Sequence, residues 1–399
     1  MNLESLIVSA RDQGASDLHV EAGLPPALRI RGALRITGDP LPAQLIEQTA
    51  RDLIGEGFWE AFLERKSADL SRTIKGVRCR INVLQTSRGV GLAIRLLASF
   101  QATLETLNLH PDLKRLTAFN HGLILVSGPT GSGKSSTLAA LIQEINLAEA
   151  RHIVTIESPI EYLFRPRRAF IRQREVGRDT PSFEQALLDA LREDPDVVMV
   201  GEMREPQTMR LTLNASETGH LVLATVHSSS CAEALQRVVS AFPAEIQTNV
   251  AAQLADCLVG VITQRLVFRP DLNIRLPECE ILLSTNAVKN FIRNRDFFKI
   301  MSSLETGADH GLWTFERYRG WMQRRSTWLT PGAHGEFADP DAPTDPAPPP
   351  LSATPAQKRP PLAGSKTLAR SELRPSKPEG RIEIQPVEGG LDALLKKLD

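Results

Sequence analysis

From Gly128 to Ser135 the chain reads Gly-Pro-Thr-Gly-Ser-Gly-Lys-Ser, a G-x-x-x-x-G-K-[ST] spacing set between an apolar run and a helical pattern. Residues of these types at this spacing hold a polyphosphate. Backbone N–H groups wrap an anion where the chain takes positive φ, which Gly131 and Gly133 allow at no steric cost. Lys134 then reaches the β- and γ-phosphate oxygens and the Ser135 hydroxyl meets Mg²⁺, while the helix begun here aims its positive end at the anion. Gly128, Pro129, Thr130, Gly131, Ser132, Gly133, Lys134, Ser135 and Ser136 are the expected nucleotide-binding residues, with Ser135 also a metal ligand. A Gly/Ser loop that merely turns a strand into a helix is the competing reading. The flanks argue against it, because Leu123-Ile124-Leu125-Val126 precedes the loop and Leu138, Leu141, Ile142 and Ile145 form one face after it.

Such a loop has to be presented by a sheet. From residue 121 onward the pattern alternates strand and helix, predicting an α/β domain with a parallel sheet covered on both faces. Strands are expected at Ile153–Glu157, Val197–Val200 and Leu221–Val226, and a helix over Phe183–Glu193 with Ser182 and Gln185 in capping-box spacing. Ala232 to Arg265 reads as largely helical, and Lys289 to Met301 adds at least one further helix. In doubly wound sheets ligands sit beyond the carboxyl ends of the strands. There the chain carries Glu157-Ser158-Pro159-Ile160-Glu161, Gly201-Glu202 and His227. Glu202 fits the Walker B role, holding Mg²⁺ directly or through water, and Glu161 fits the carboxylate that orients the attacking water. His220 and His227 can hydrogen-bond a γ-phosphate, although isolated histidines are more often structural.

Residues 1 to 100 predict a small α+β domain. A helix over Glu4–Asp12 is followed by strands at Asp17–Val20 and Leu28–Arg31, an amphipathic helical region over Leu45–Arg65 interrupted at Gly55 and Gly57, and strands at Arg78–Val83 and Val90–Leu96. Arg78, Arg80, Arg88 and Arg95 project from these strands or their connecting turn. They are either charges on a solvated sheet or arginines that reach a phosphate across a domain boundary. Residues 101–120 read as a linker, 121–330 as the nucleotide-binding domain, and 331–399 as a tail. Around Pro348-Pro349-Pro350 the tail is rich in Pro, Ala, Asp and Lys, too poor in apolar residues to offset its ordering entropy, and is expected to be disordered. It ends with Leu391, Leu394, Leu395 and Leu398 at i, i+3, i+4 and i+7, the pattern of a short amphipathic helix suited to a partner groove.

Lys+Arg and Asp+Glu are both 47, so direct nucleic-acid contact is not expected. The sequence contains neither a long apolar span nor a basic, apolar leader, which predicts a cytoplasmic protein without a transmembrane segment. Cys79, Cys231, Cys257 and Cys279 are too widely spaced for a zinc module and read as buried apolar side chains.

Several further motifs carry a family resemblance. Gly14-Ala15-Ser16-Asp17-Leu18-His19, the Gly128–Ser135 loop, Thr155-Ile156-Glu157-Ser158-Pro159-Ile160-Glu161, Arg174-Glu175-Val176-Gly177, Ala190-Leu191-Arg192-Glu193-Asp194-Pro195-Asp196, Gly201-Glu202-Met203-Arg204 and Glu217-Thr218-Gly219-His220 to His227 occur in order. Over roughly residues 1 to 305 the chain resembles the secretion-superfamily ATPases, and within them the type IV pilus retraction (twitching motility) ATPases. The resemblance implies a RecA-like motor domain preceded by a PAS-like domain, a homo-hexameric ring, and ATP bound with Mg²⁺ between the two domains. It further implies that Arg80 and Arg95 complete the site, that Glu161 is the catalytic glutamate, that Glu202 is the Walker B glutamate, and that His220 and His227 form the His box. The implied partners are an inner-membrane pilus platform protein and a related pilus ATPase, with the ring working at the inner face of that membrane. Two departures stand out. Ser158 occupies the position of an Asp in the family's Glu-Asp-Pro-Ile-Glu box, and Ala287-Val288-Lys289-Asn290-Phe291-Ile292-Arg293-Asn294 is a degenerate form of its C-terminal motif. Both suit an accessory or specialised paralogue, the alternative to an ordinary retraction motor. A DNA-uptake or secretion motor of the same superfamily is a third reading. The missing tetracysteine module argues against the pilus-extension and type II secretion branches.

Overall fold

The computed structural model describes residues 3–30, 32–97 and 102–329. The chain begins with α1 (Leu3–Asp12), β1 (Ala15–Glu21), β2 (Ala27–Ile30), β3 (Ala33–Ile36), α2 (Ala43–Ile54), α3 (Glu56–Arg65), β4 (Ser67–Ile74), β5 (Val77–Thr86) and β6 (Gly89–Leu96). Its strands form one antiparallel sheet in the order β3-β2-β1-β6-β5-β4. Strand β5 shows how the sequence sets its two faces. Val77, Cys79, Ile81 and Val83 are buried while Arg78, Arg80 and Asn82 alternate with them, as a period of two requires. Ile7, Ile46, Trp59 and Phe62 from the helices pack onto that inward face. The expected helical run over 45–65 breaks at Gly55, which takes φ +85°, whereas Gly57 lies inside α3. Strand β4 was not among the expected elements; it is the edge strand paired to β5.

After a 3₁₀ segment at Pro111–Ala118 come β7 (Gly122–Ser127), α4 (Lys134–Ala148), β8 (His152–Glu157), β9 (Phe170–Glu175), α5 (Phe183–Ala190), β10 (Val197–Val200), α6 (Pro206–Glu217), β11 (Leu221–Val226), α7 (Cys231–Ser240), α8 (Gln247–Cys257), β12 (Leu258–Arg269), β13 (Ile274–Leu283), α9 (Asn286–Arg293), α10 (Ile300–Thr306) and α11 (Phe315–Arg324). The second sheet runs β13-β12-β7-β11-β10-β8-β9, parallel except for β13. Strands β7, β10 and β11 are buried at every position, the continuous apolar pattern of a sheet covered on both faces. Parallel pairing brings the carboxyl ends of β7, β8, β10 and β11 to one edge of this sheet. Ser182 caps α5 by accepting the Gln185 N–H at 3.1 Å, as its spacing predicted, and α5 ends at Ala190 rather than Glu193.

The expectation of helix from Ala232 to Arg265 is corrected here. Helices α7 and α8 stop at Cys257, and Leu258–Arg269 is strand β12, inserted between β7 and β13. Val259, Val261, Ile262 and Thr263 are β-branched, and Gly260 lets the Leu282 carbonyl approach to 2.8 Å of where a Cβ would stand. Strand β9 was likewise not anticipated. The four cysteines are free and buried, as expected. Among the described residues no helix is long and apolar enough to cross a membrane. The predicted tail at 331–399, with its Leu391–Leu398 helix, lies outside the described residues.

Candidate active site

Above the carboxyl edge of the second sheet is a cavity of about 460 Å³. Thr130 and Gly131 line it from the glycine loop, Lys134 and Ser135 from the first turn of α4, Glu157 from the end of β8, Ser158 and Glu161 from the segment after it, Glu202 and Arg204 after β10, and His227 after β11. The loop's shape follows from its glycines. Gly131 and Gly133 take φ +77° and +87°, and Gly133 caps α4, whose first turn faces the cavity. At Gly128 a Cβ would stand 2.3 Å from the Gln264 carbonyl and 2.5 Å from Ser132 Oγ, so a side chain has no room there. Lys134 Nζ donates to the carbonyls of Gly128 and Pro129, both at 3.0 Å. Burial lowers its pKa, against the opposing pull of Glu202 and Glu161.

Glu202 Oε1 lies 2.7 Å from both Arg204 Nε and His227 Nε2. These are close polar contacts whose N–H groups are not aligned on the buried oxygen. Burial acts to raise the Glu202 pKa, but the Arg204 guanidinium and then the His227 imidazole outweigh it and hold the carboxyl below its ordinary value. Arg80, on β5, reaches the same cavity and is gripped by Asp69 from β4 through Nε at 3.1 Å and Nη2 at 2.5 Å.

Several expected site residues stand elsewhere. Arg95 lies across from Arg80 on β6 but does not line the cavity; its Nε donates to Asp17 at 3.1 Å. His220 precedes β11 while His227 follows it, so the strand's length separates them, and His220 Nδ1 sits 3.0 Å from the Ala215 carbonyl. Ser136 is not among the residues that line the cavity; its hydroxyl pairs with that of Tyr162, which is, at 2.7 Å. Gly128, Pro129, Ser132 and Gly133 shape the loop without lining the cavity. Arg78 is directed to a different cluster.

Sequence reasoning missed Asp69, Arg204 and Gln264. Gln264 Nε2 donates to the Ser132 carbonyl at 2.6 Å and its Oε1 accepts from Thr137 Oγ1 at 2.6 Å, bracing the loop from β12. Reading Leu258–Thr263 as a β-branched strand run would have brought Gln264 beside the loop. Arg204 stands only two residues beyond Glu202 and could have been marked as its counter-ion.

Glu157 has a separate consequence. Burial pushes its pKa up to about 7 against hydrogen bonds from Thr155 and Gln173, compared with an ordinary 4.5. The folded chain therefore keeps a proton that the unfolded chain has already lost. The stability this gives is complete below pH 4.5 and disappears as pH rises through about 7. Glu157→Gln, which keeps an acceptor for both donors, should be more stable than wild type at pH 8 by at most about 3 kcal/mol, with the gain absent at pH 4. Thermal melts at the two pH values check this; a gain of equal size at both would contradict it.

A glycine loop opening a helix on a buried parallel sheet, with acidic strand ends gathered opposite it, defines a P-loop nucleotide-binding protein. More narrowly, the chain belongs to the family described as type II/IV secretion system protein, whose model matches residues 2–294. The type IV pilus retraction ATPase PilT of Pseudomonas aeruginosa is 41% identical over 318 residues, covering 79% of this chain and 92% of that one. The type IV pilus ATPase PilU of the same organism is 34% identical over 343 residues, covering 85% and 90%. A crystal structure of the pilus retraction motor PilT with bound ADP aligns with a TM-score of 0.72 at 37% identity, covering 80% of this chain and 96% of that chain.

Proposed function

We propose that this chain is a Mg²⁺-dependent ATP hydrolase that drives type IV pilus retraction. The observation that carries the reading is the convergence of Lys134, Ser135, Glu161, Glu202 and His227 on one cavity that Arg80 enters from the other sheet. The donors suit Mg²⁺, because the Ser135 hydroxyl and the Glu202 carboxylate, two hard oxygen ligands, line the same space. Among the described residues no cluster of His, Cys, Asp or Glu would hold a metal unaided, in keeping with an ion that takes its remaining ligands from phosphate and water. Bound there, Mg²⁺ would neutralise charge on the phosphates. Lys134 would leave its carbonyl partners for the phosphate oxygens, Glu161 would orient water, and His227 would report on the γ-phosphate. Arg80, and Arg95 after release from Asp17, would add positive charge if the sheets shift during turnover.

The same reading assigns residues 1–100 to a PAS-like domain, 101–120 to a linker, 121–330 to a RecA-like motor and 331–399 to a tail. It also places a homo-hexamer at the inner face of the inner membrane, acting on a platform protein. The likeness to the pilus retraction motor PilT supports the retraction role. Ser158, on the cavity wall, favours a second reading: a weakly hydrolysing paralogue that modulates another pilus ATPase, as the likeness to PilU also allows. Cells lacking the protein should still display surface pili but fail to retract them. Loss of the pili themselves would overturn the retraction assignment. In the purified chain, Ser158→Asp should raise turnover severalfold if the serine attenuates hydrolysis, whereas unchanged turnover would favour the ordinary motor.

A further inference from the structure

The edge strand of each sheet contributes to one buried polar cluster that the proposed chemistry does not use. Glu175, the last residue of β9, is 2% exposed, and Ser71 of β4 is fully buried. Ser71 Oγ donates to Glu175 Oε2, and the Ser71 N–H donates to Oε1 at 3.3 Å. Arg78 Nη2, from β5, donates to that hydroxyl at 2.5 Å and to the Ile160 carbonyl at 2.8 Å. Glu175 Oε2 also accepts the Ile160 N–H at 3.1 Å. Both backbone polar groups of Ile160 are thus held, one by a carboxylate and one by a guanidinium. The next residue is Glu161, which lines the cavity.

We propose that Ser71, Arg78 and Glu175 form a clamp that positions Glu161 and ties its placement to the first sheet. Burying a carboxylate and a guanidinium is unfavourable unless each finds partners. Here the partners come from both sheets, so the cluster is complete only while β4 and β5 stay against the loop after β8. Arg78 Nε lacks an acceptor, so the guanidinium depends on the Ser71 hydroxyl and the Ile160 carbonyl, with a longer contact to Thr73 Oγ1 at 3.4 Å. A shift of the first sheet takes away Arg78, the donor that fixes the Ile160 carbonyl, and Ser71, which holds Glu175 against the Ile160 N–H, and the Glu161 carboxylate then loses its aim. None of the three side chains lines the cavity, so they act as positioning residues. The inference rests on Glu161 being the water-orienting carboxylate.

Ser71→Ala and Glu175→Gln in the full chain test it by two measurements. Amide hydrogen exchange at Ile160 and Glu161 should become at least tenfold faster in both variants, which reads the clamp whether or not the protein hydrolyses ATP. Steady-state phosphate release should fall at least tenfold in kcat while the Kd for ATP stays within twofold, because the glycine loop keeps its own supports. Unchanged exchange would overturn the clamp. Faster exchange with unaltered kcat, or kcat and Kd worsening together with a collapse of Tm, would overturn the positioning role. Absence of Lys134-dependent hydrolysis in the wild type would count against the proposed function alone, since exchange still judges the clamp.

Discussion

Lys134→Ala is expected to cut steady-state phosphate release by a factor of about 10²–10³ or more, the scale on which one preorganised donor to transition-state charge acts. Lys134 donates to the carbonyls of Gly128 and Pro129, 3.0 Å from each. Those are weak substitutes for phosphate oxygens, and burial in the cavity wall removes competing water. Glu202 and Glu161 face the same ammonium, so its removal also leaves two carboxylates without their shared cation. Binding of ATP should therefore weaken along with turnover. Equilibrium titration with a fluorescent ATP analogue, run beside the phosphate assay, checks both effects. A variant that still hydrolyses ATP at the wild-type rate would remove this cavity from consideration as the active site.

Glu161→Gln is expected to lower kcat by about 10²–10⁴ while leaving nucleotide affinity within a few-fold of wild type, the scale of a lost general base. Glu161 lines the cavity opposite Lys134 and Ser135, and the substitution keeps its volume and one acceptor while removing the charge that draws a proton from water. Because the loop that carries it is held through Ile160 by Glu175 and Arg78, the backbone should not move when the side chain changes. The contrast with Lys134→Ala is the useful part. One substitution impairs binding and chemistry together, and the other separates them. Pre-steady-state measurement of a single turnover shows which step has slowed; equal losses in affinity and kcat for Glu161→Gln would contradict its role.

Much of the site was legible in local pattern. The glycine spacing at 128–135 dictates a positive-φ loop wherever it occurs, and the apolar runs at 123–126, 197–200 and 221–226 have to be inner strands because nothing else buries them. Their parallel order then forces Glu161, Glu202 and His227 toward that loop. The same logic should have separated His220 from His227, since a strand cannot present residues at both of its ends to one cavity. Strand β12 was misread because Leu258–Arg269 follows directly on a true helix, and local propensity does not reveal that β7 and β13 stand ready to satisfy its backbone on both sides.

For the arginines of the first sheet, sequence spacing left every outcome open. Alternation along β5 sends Arg78 and Arg80 to one face, but which acceptor each meets depends on the edge of another sheet and on a strand that the sequence reading did not include. Asp69 on β4 grips Arg80 at the cavity, Asp17 on β1 holds Arg95 outside it, and Ser71 and Ile160 draw Arg78 into the buried cluster. The phosphate loop and its acidic opposites were determined by the sequence itself, because their chemistry needs only short-range spacing and the geometry of parallel strands. The partners of the arginines and the clamp behind Glu161 were decided by tertiary structure, because a charged side chain takes the nearest unsatisfied acceptor, and nearness across two sheets is not written in chain order.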